Sequence, residues 1–453
     1  MKAKQGLVFA ILASFCILLF SQATELTFDR SSNSKQFMMS ETEAHYEIVI
    51  THNDNFTAQG WDGNGTAVNP FLISGLEIAS DAICINISNT DLYFIIENCH
   101  LTSEGSTPSG YGISFEAVSN AQVRDIFITR KVIGINVLDA SDTLFSNVTI
   151  YDSSSGAYIR DSTDTSISNS SIIGSTEGSA IILDSSDHCN IIGNQIHGNQ
   201  VGFLSNSSEW ISITNNTIVG NSAYGIQSTS GSKKLSVYWN RIGWNGINAI
   251  DNGTTKFWDN GNYGNWWSDS DNDTAYLIPG AANAKDRHSQ LWTDNLGPDI
   301  HTVLSQSKSD SIYSIHISAE VADNIAVDQV IASVSLDDEV SWENITMDWS
   351  YTSWTTSIDS LSADSTIHYV VYASDYAENW EVTSADVYSI IVETDTGSTS
   401  QTTTTDTNTT NGFTGNGPEI GPIVIAAVFG AIAIISVVAV LMYQYPSKFR
   451  RNN

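Results

Sequence analysis

Apolar residues between positions 111 and 242 recur on two scales. Within short runs they alternate with polar ones, and a period of two calls for strands, not helices. On the longer scale the runs themselves repeat. The segments "YGISFEAVSNAQVRDIFI", "IGINVLDASDTLFSNVTI", "GAYIRDSTDTSISNSSII", "SAIILDSSDHCNIIGNQI", "VGFLSNSSEWISITNNTI" and "YGIQSTSGSKKLSVYWNRI" align almost without gaps. Their closing positions are Ile128, Ile150, Ile172, Ile196, Ile218 and Ile242, 22 to 24 residues apart. An earlier unit closes at Leu101, before the insertion "SEGSTPSG". A small residue opens most units, as at Gly112, Gly134, Gly156, Gly202 and Gly225. Three short strands in about 22 residues make one coil of a parallel β-helix, whose coils pair about 4.8 Å apart along the axis. About eight coils of a right-handed parallel β-helix are expected. Asn98, Asn147, Asn169, Asn194, Asn216 and Asn240 mark one corner of the coil. Asn tolerates left-handed backbone, and its amide can bond the next Asn in a ladder.

The pattern changes at Gly297-Pro298. Residues 297–393 hold about seven short alternating strands, among them "SIYSIHISAEV", "VDQVIASVSLD" and "TIHYVVYASD". That density of strands and turns predicts a β-sandwich. The fold class is therefore all-β: a parallel β-helix over 24–296, then a sandwich.

Charge sharpens the picture at the two ends. Asp+Glu number 50 against 18 Lys+Arg, a net of −32. Lys2, Lys4, Lys448, Arg450 and Arg451 lie at the termini; without them the count is 13 against 50, or −37. So acidic a body excludes nucleic-acid binding through a basic face. Lys2 and Lys4, the apolar run Leu7 to Phe20 and Ser21-Gln22-Ala23 predict a secretory signal peptide over 1–23. Residues 394–417 are Thr-rich and read as a disordered, glycosylated stalk. Residues 418–443 predict one transmembrane helix, and 444–453 a basic cytoplasmic tail. Eleven Asn-X-Ser/Thr sequons, such as those at Asn55, Asn86, Asn147 and Asn206, suit a secreted surface. After the signal, Cys84, Cys99 and Cys189 allow at most one bridge, Cys84 with Cys99 being one option.

Candidate chemistry is sparse. Asp139, Asp161, Asp184 and Asn206 align in successive units, as do Asp142, Asp164, Asp187 and Glu209. Rows of carboxylates at coil spacing suit Ca²⁺ or sugar hydroxyls; a merely solvated turn, recurring because the unit recurs, is the plainer reading. Arg124, Arg130, Lys131 and Arg160 are basic candidates beside them. Asp269, Asp271 and Asp273, in "SDSDND", are the better calcium candidate, without the glycine and final Glu of an EF-hand. Trp258, Tyr263, Trp266 and Trp267, with Trp239 and Trp244, either stack on sugars or plug the end of the helix core. The plug is favoured, because the core must end there.

The segment "HNDNFTAQGWDGNGTAVNPFLISGLEI" resembles the leading cap of archaeal surface proteins with β-helix repeats. The coils resemble the NosD-like periplasmic copper-binding repeat family. "GNYGNWWSDSDNDTAYLIPG" resembles that group's closing segment, and "YVVYASDYAENW" resembles immunoglobulin-like and fibronectin-like modules. The copper that the family name implies needs clustered His, Met and Cys. His100, His188 and His197 are dispersed instead. The tripeptide Asn89-Thr90-Asp91 resembles a polygalacturonase motif, but that family's later motifs are missing. Two functions follow from the resemblance. One is a non-enzymatic, membrane-anchored glycoprotein with its N-terminus outside, serving adhesion, envelope structure or glycan binding beside neighbouring surface proteins. The other is an anchored polysaccharide lyase or glycoside hydrolase.

Overall fold

The computed structural model describes residues 42–389, apart from 176, 272–274, 310–311, 351 and 363–364. The expected signal peptide, stalk, membrane span and tail lie outside the described residues. Among those described, no helix is long and apolar enough to cross a membrane.

Nine parallel strands, from Ile48–Ile50 to Ile247–Asp251, form one sheet along the β-helix. Each is the first strand of a coil, so there are nine coils, one more than the repeat count suggests. The additional coil is built from the leading segment. The other strands of each coil form a seventeen-stranded sheet. In one mid-helix coil the three strands are Ser155–Arg160, Ser166–Ser168 and Ser171–Ile173. The next coil repeats them in register as Ser179–Asp184, Asn190–Ile192 and Gln195–His197.

Inward side chains stack on their copies. Ile128, Ile150, Ile172, Ile196, Ile218 and Ile242 form one buried column that ends on Trp267. The opening glycines are needed for space: a Cβ on Gly156 would lie 2.5 Å from Ile172 Cγ2 and 2.3 Å from the Ala180 carbonyl oxygen. Near the N-terminal end the core is aromatic. Phe56 stacks on Phe71 at 4.8 Å, and Phe94 meets Phe115 edge-on at 5.6 Å.

The corners are where ladder pairing breaks, and inward polar side chains satisfy the freed amides there. Asn194, Asn216, Asn240 and Asn265 each accept the backbone N–H of the preceding coil, and their amides donate onward along the row. A second ladder runs through Asn199, Asn221 and Asn245 at the next corner. The first ladder differs from the expectation in one respect. Asn98, Asn147 and Asn169 are not part of it. They hold the left-handed position, with φ near 50°, that Gly193 and Asn215 hold in later coils. The ladder position itself is one residue on: Cys99, Ile126 and Val148 in early coils, then Ser170, then Asn194.

The rod ends as a plug. Trp258 and Trp267 are buried, and Tyr276 stacks on Trp267 at 4.0 Å. The Asn ladder ends on Asp286, which accepts hydrogen bonds from Asn265 N, Asn265 Nδ2, Trp267 Nε1 and His288 N. Burial pushes the Asp286 carboxyl up, against the pull of these donors.

Residues 299–389 form a four-stranded and a five-stranded antiparallel sheet around one apolar core. This sandwich lies against the side of the rod. Trp349 packs on Tyr151 and Phe127; Ile325 and Ala326 pack on Val219; Trp292, in the connecting segment, meets Trp244. Tyr376 seats in a notch made by Gly198 and Gly220, both left-handed, at φ +66° and +59°. A Cβ on Gly220 would stand 2.1 Å from its ring.

Candidate functional site

The acidic candidates gather at the corner where each strand of the nine-stranded sheet ends. Asp139 and Asp161 are true neighbours there, both left-handed and exposed, but the row continues as Ser185 and Ser207. Asp142 and Asp164 are likewise neighbours, followed by His188, Trp210 and Lys234. Asp184 pairs with Arg160 and Asn206 at the strand ends, and Asp187 with Thr163. The two straight acidic rows of the alignment therefore break after Asp161 and Asp164. The cause is coil length. Equivalent corner residues are 22 apart before this point, as Ala140 and Ser162 are, but 24 apart at Ser162 and Ser186. A gapless alignment absorbs those additional residues at the wrong place.

What the corner brings together is a mixed network. Tyr158 donates its hydroxyl to Asp184 Oδ2 at 3.1 Å, and Asn206 Nδ2 donates to Asp184 Oδ1 at 2.7 Å. Thr229 donates to Asn206 Oδ1 at 2.9 Å. Arg160 Nε lies 3.4 Å from Asp161. Burial, and then the hydrogen bond to Asp184, push the Tyr158 hydroxyl up, so it holds its proton. Further along, Lys233 bonds Glu209 at 2.6 Å and holds that carboxyl below its usual range. Trp210 is 52% exposed yet left-handed, at φ 58°. Its ring lies between the stacked His188 ring, at 6.0 Å, and Lys234 Nζ, at 3.9 Å.

The tyrosines and the left-handed column were missed in the sequence. Tyr158 looked like one more strand residue, since an outward position shows its neighbours only once the register is known. The outer face of the nine-stranded sheet carries Asn136, Tyr158, Ile182, Leu204 and Gln227 in one in-register row.

The basic candidates divide. Arg124 pairs with Glu97, and Arg130 donates to Thr102 Oγ1 at 2.9 Å. Lys131 is fully buried, its Nζ bonded to the Ser80 carbonyl, so it belongs to the fold. Asn89-Thr90-Asp91 serves the leading cap, where Thr90 and Asp91 bond Asn53.

Metal chemistry finds little here. Among the described residues no three of His, Cys, Asp or Glu gather as a metal site. Cys84, Cys99 and Cys189 are free and buried, so Cys84 and Cys99 do not pair. Burial pushes the Cys99 thiol to about 11 and Cys189 to about 12, which suits core residues and not thiolate ligands. His188 packs on Trp210 and His197 on Tyr376, in separate places. These donors do not fit copper. In the 269–273 turn, Asp269 accepts hydrogen bonds from Asn248 and Tyr276, and Asp273 lies outside the described residues.

Residues 32–272 match the family described as periplasmic copper-binding protein (NosD). The chain belongs to this family. A periplasmic family agrees with a body on the outer side of a membrane. A comparison with curated proteins gives no match. Among solved structures, the chain is similar to an alginate lyase from Paenibacillus sp. str. FPU-7, at 14% identity and TM-score 0.29, over 54% of this chain and 98% of that one. It is similar to a point mutant of the periplasmic alginate epimerase AlgG, at 14% identity and TM-score 0.19, over 49% and 76%. The third is a tailspike protein of an Acinetobacter baumannii phage, at 10% identity and TM-score 0.22, over 76% and 65%. At these scores the likenesses carry no argument about activity.

Proposed function

We propose that this NosD-family protein is a membrane-anchored surface glycoprotein that binds an extended extracellular glycan without cutting it. The binding surface is the outer face of the nine-stranded sheet with its acidic corner: Asp139, Asp142, Asp161, Asp164, Asp184 and Asp187 beside Tyr158 and Arg160. The signal peptide, stalk and span expected from the sequence place this surface outside a cell, archaeal by the resemblance of the leading cap. The sandwich, with its immunoglobulin-like late strand and turn, is the module nearer the membrane in the chain.

One observation carries the reading. The polar groups at the corner are bonded to each other, with Tyr158 protonated on Asp184. The outer row beside the corner runs in register from Asn136 through Tyr158 to Gln227, so an extended polymer would cross several coils, and a pre-bonded network loses little freedom when it binds. The runner-up, a surface polysaccharide lyase or hydrolase, draws on Arg160 beside Asp161. Elimination there needs a base poised to take a proton, and Tyr158 is held the other way. A glycan array probed with the ectodomain is the test. Binding to an extended polysaccharide, weakened at least tenfold by Arg160→Ala with Tyr158→Ala, is expected; an array with no bound glycan removes the proposal.

Calcium at Asp269, Asp271 and Asp273 belongs to the same reading. Such an ion would share Asp269 with Asn248 and Tyr276. A melt with and without chelator should show a lower midpoint with chelator, and an unchanged midpoint removes calcium from the account.

A further inference from the structure

Two of the contacts between sandwich and rod have a carboxyl group directly behind them. Ile325 and Ala326 pack on Val219 of the rod. Their backbone N–H groups both donate to Asp323 Oδ1, at 2.7 and 3.2 Å, while Asp323 Oδ2 is buried without a hydrogen-bond partner. Tyr376, seated between Gly198 and Gly220, directly follows Asp375, which is buried. Asp375 accepts from Asn379 N and Nδ2 at 2.9 and 2.8 Å. A third carboxyl arrives from the segment leaving the rod. Asp294 is clasped by Asn324 Nδ2 at 2.7 Å and by Asn379 Nδ2 at 2.9 Å. Asn379 thus bridges two carboxyls. Burial, and then the neighbouring Asp375, push up the carboxyl of Asp328 on the strand after Ala326.

We infer that the rod and sandwich are latched while Asp323 and Asp375 are protonated beside Asp294, and that the latch opens when those two protons leave. Fully ionised, the cluster sets like charges against each other beside both contacts, with only neutral amides between them. With a proton in place that repulsion is relieved, while Asp323 Oδ1 still accepts from Ile325 N and Ala326 N.

The titration agrees with the geometry. Burial, and then the neighbouring Asp375 and Asp294, push the Asp323 carboxyl up to about 6. Burial pushes Asp375 and Asp328 up as well. A folded-state pKa above the unfolded value gives stability that is complete at low pH and is lost as pH rises through it. The contact therefore weakens above about pH 6. The opposite limit comes from the rod side. His197 faces Tyr376, its Nδ1 buried without a partner, and burial pulls it down to about 4. Its neutral form suits the contact, so docking also weakens below that pH. The groups facing these two contacts are thus Asp294, Asp323, Asp328, Asp375 and Tyr376 from the sandwich side and its link, and His197 from the rod; at the separate Trp349 contact, burial and then Asp348 push Asp152 up, against the pull of Arg130. Opening uncovers the strip that includes His197 and Val219.

Cys84, Cys99 and Cys189 are buried, so in a Cys16→Ser background engineered surface cysteines can be spin-labelled selectively. Ser207→Cys on the rod and Glu343→Cys on the sandwich, in the full chain, report the distance between the two. One narrow distance at pH 5 that broadens at pH 8 is expected. Asp323→Asn with Asp375→Asn should keep the distance narrow at both. An identical distribution at pH 5 and pH 8 overturns the latch, and the unsubstituted pair of carboxyls suffices for that result. A pH response unchanged in the double Asn variant also overturns it. So does a narrow distance restored at pH 8 by calcium, because a cation and not a proton would then hold the contacts.

Discussion

At the scale of single residues, the rod depends on corner amides more than on charges. Asn216 accepts from Asn194 N and Nδ2, and its own amide donates to the carbonyls of Ile191 and Thr214 and to Asn240. All of this is buried. Removing it strands several groups, each costing about 1–3 kcal/mol when left without a partner. Asn216→Ala should therefore destabilise the β-helix by about 3 kcal/mol or more, read from the midpoint of urea unfolding. A loss below about 1 kcal/mol would show that the ladder is ornamental. The ladder was partly legible in the sequence, because Asn recurs at coil spacing. What was hidden is that two adjacent positions favour Asn for different reasons. One needs left-handed backbone, which Asn169 and Gly193 supply equally well. The other needs an inward amide, which Ser170 only partly replaces. Composition shows Asn at both, and only register separates them.

Among the elements, coils were the most readable part. The closing isoleucines stack as their spacing requires, and Trp258 and Trp267 close the core as expected. The acidic rows were not readable, because Asp161 and Asp184 are 23 residues apart where the coil between Ser162 and Ser186 spans 24, so every aligned corner residue after it is off by one position. A shift of one residue exchanges the neighbours of every outward side chain. That is how Asp184 came to sit with Arg160 and Tyr158, not with Asp161. The sandwich was legible as an element but not in its placement. Nothing in the chain before residue 297 announces that Gly198 and Gly220 form a seat. The seat gives a direct test. Gly220→Ala should destabilise in two ways, by about 1–2 kcal/mol for left-handed backbone and further by the clash with Tyr376. Measured again in a Tyr376→Ala background, only the backbone part should remain. Equal losses in both backgrounds would mean that Tyr376 does not occupy the notch.

On the scale of the whole molecule, charge and rigidity point the same way. A body of −37 repels its neighbours, and a rod of stacked ladders presents its outer face without rearrangement. The sandwich packs on the rod at Phe127, Tyr151 and Val219, and Asp139, Asp142, Asp161 and Asp164 stay exposed. Family membership thus follows from the match over residues 32–272 and the fold from repeat pattern and register, while the outward side chains repeat only in part. The corner has donors, acceptors and aromatic groups, yet Tyr158, Asp184 and Glu209 are each committed to partners. The central claim is binding without cleavage. It is tested most directly by incubating the full-length protein with each polysaccharide it retains and following chain length and new reducing or unsaturated ends over days. The account predicts retained polymer of unchanged length. Oligosaccharides released in molar excess over the protein would contradict it.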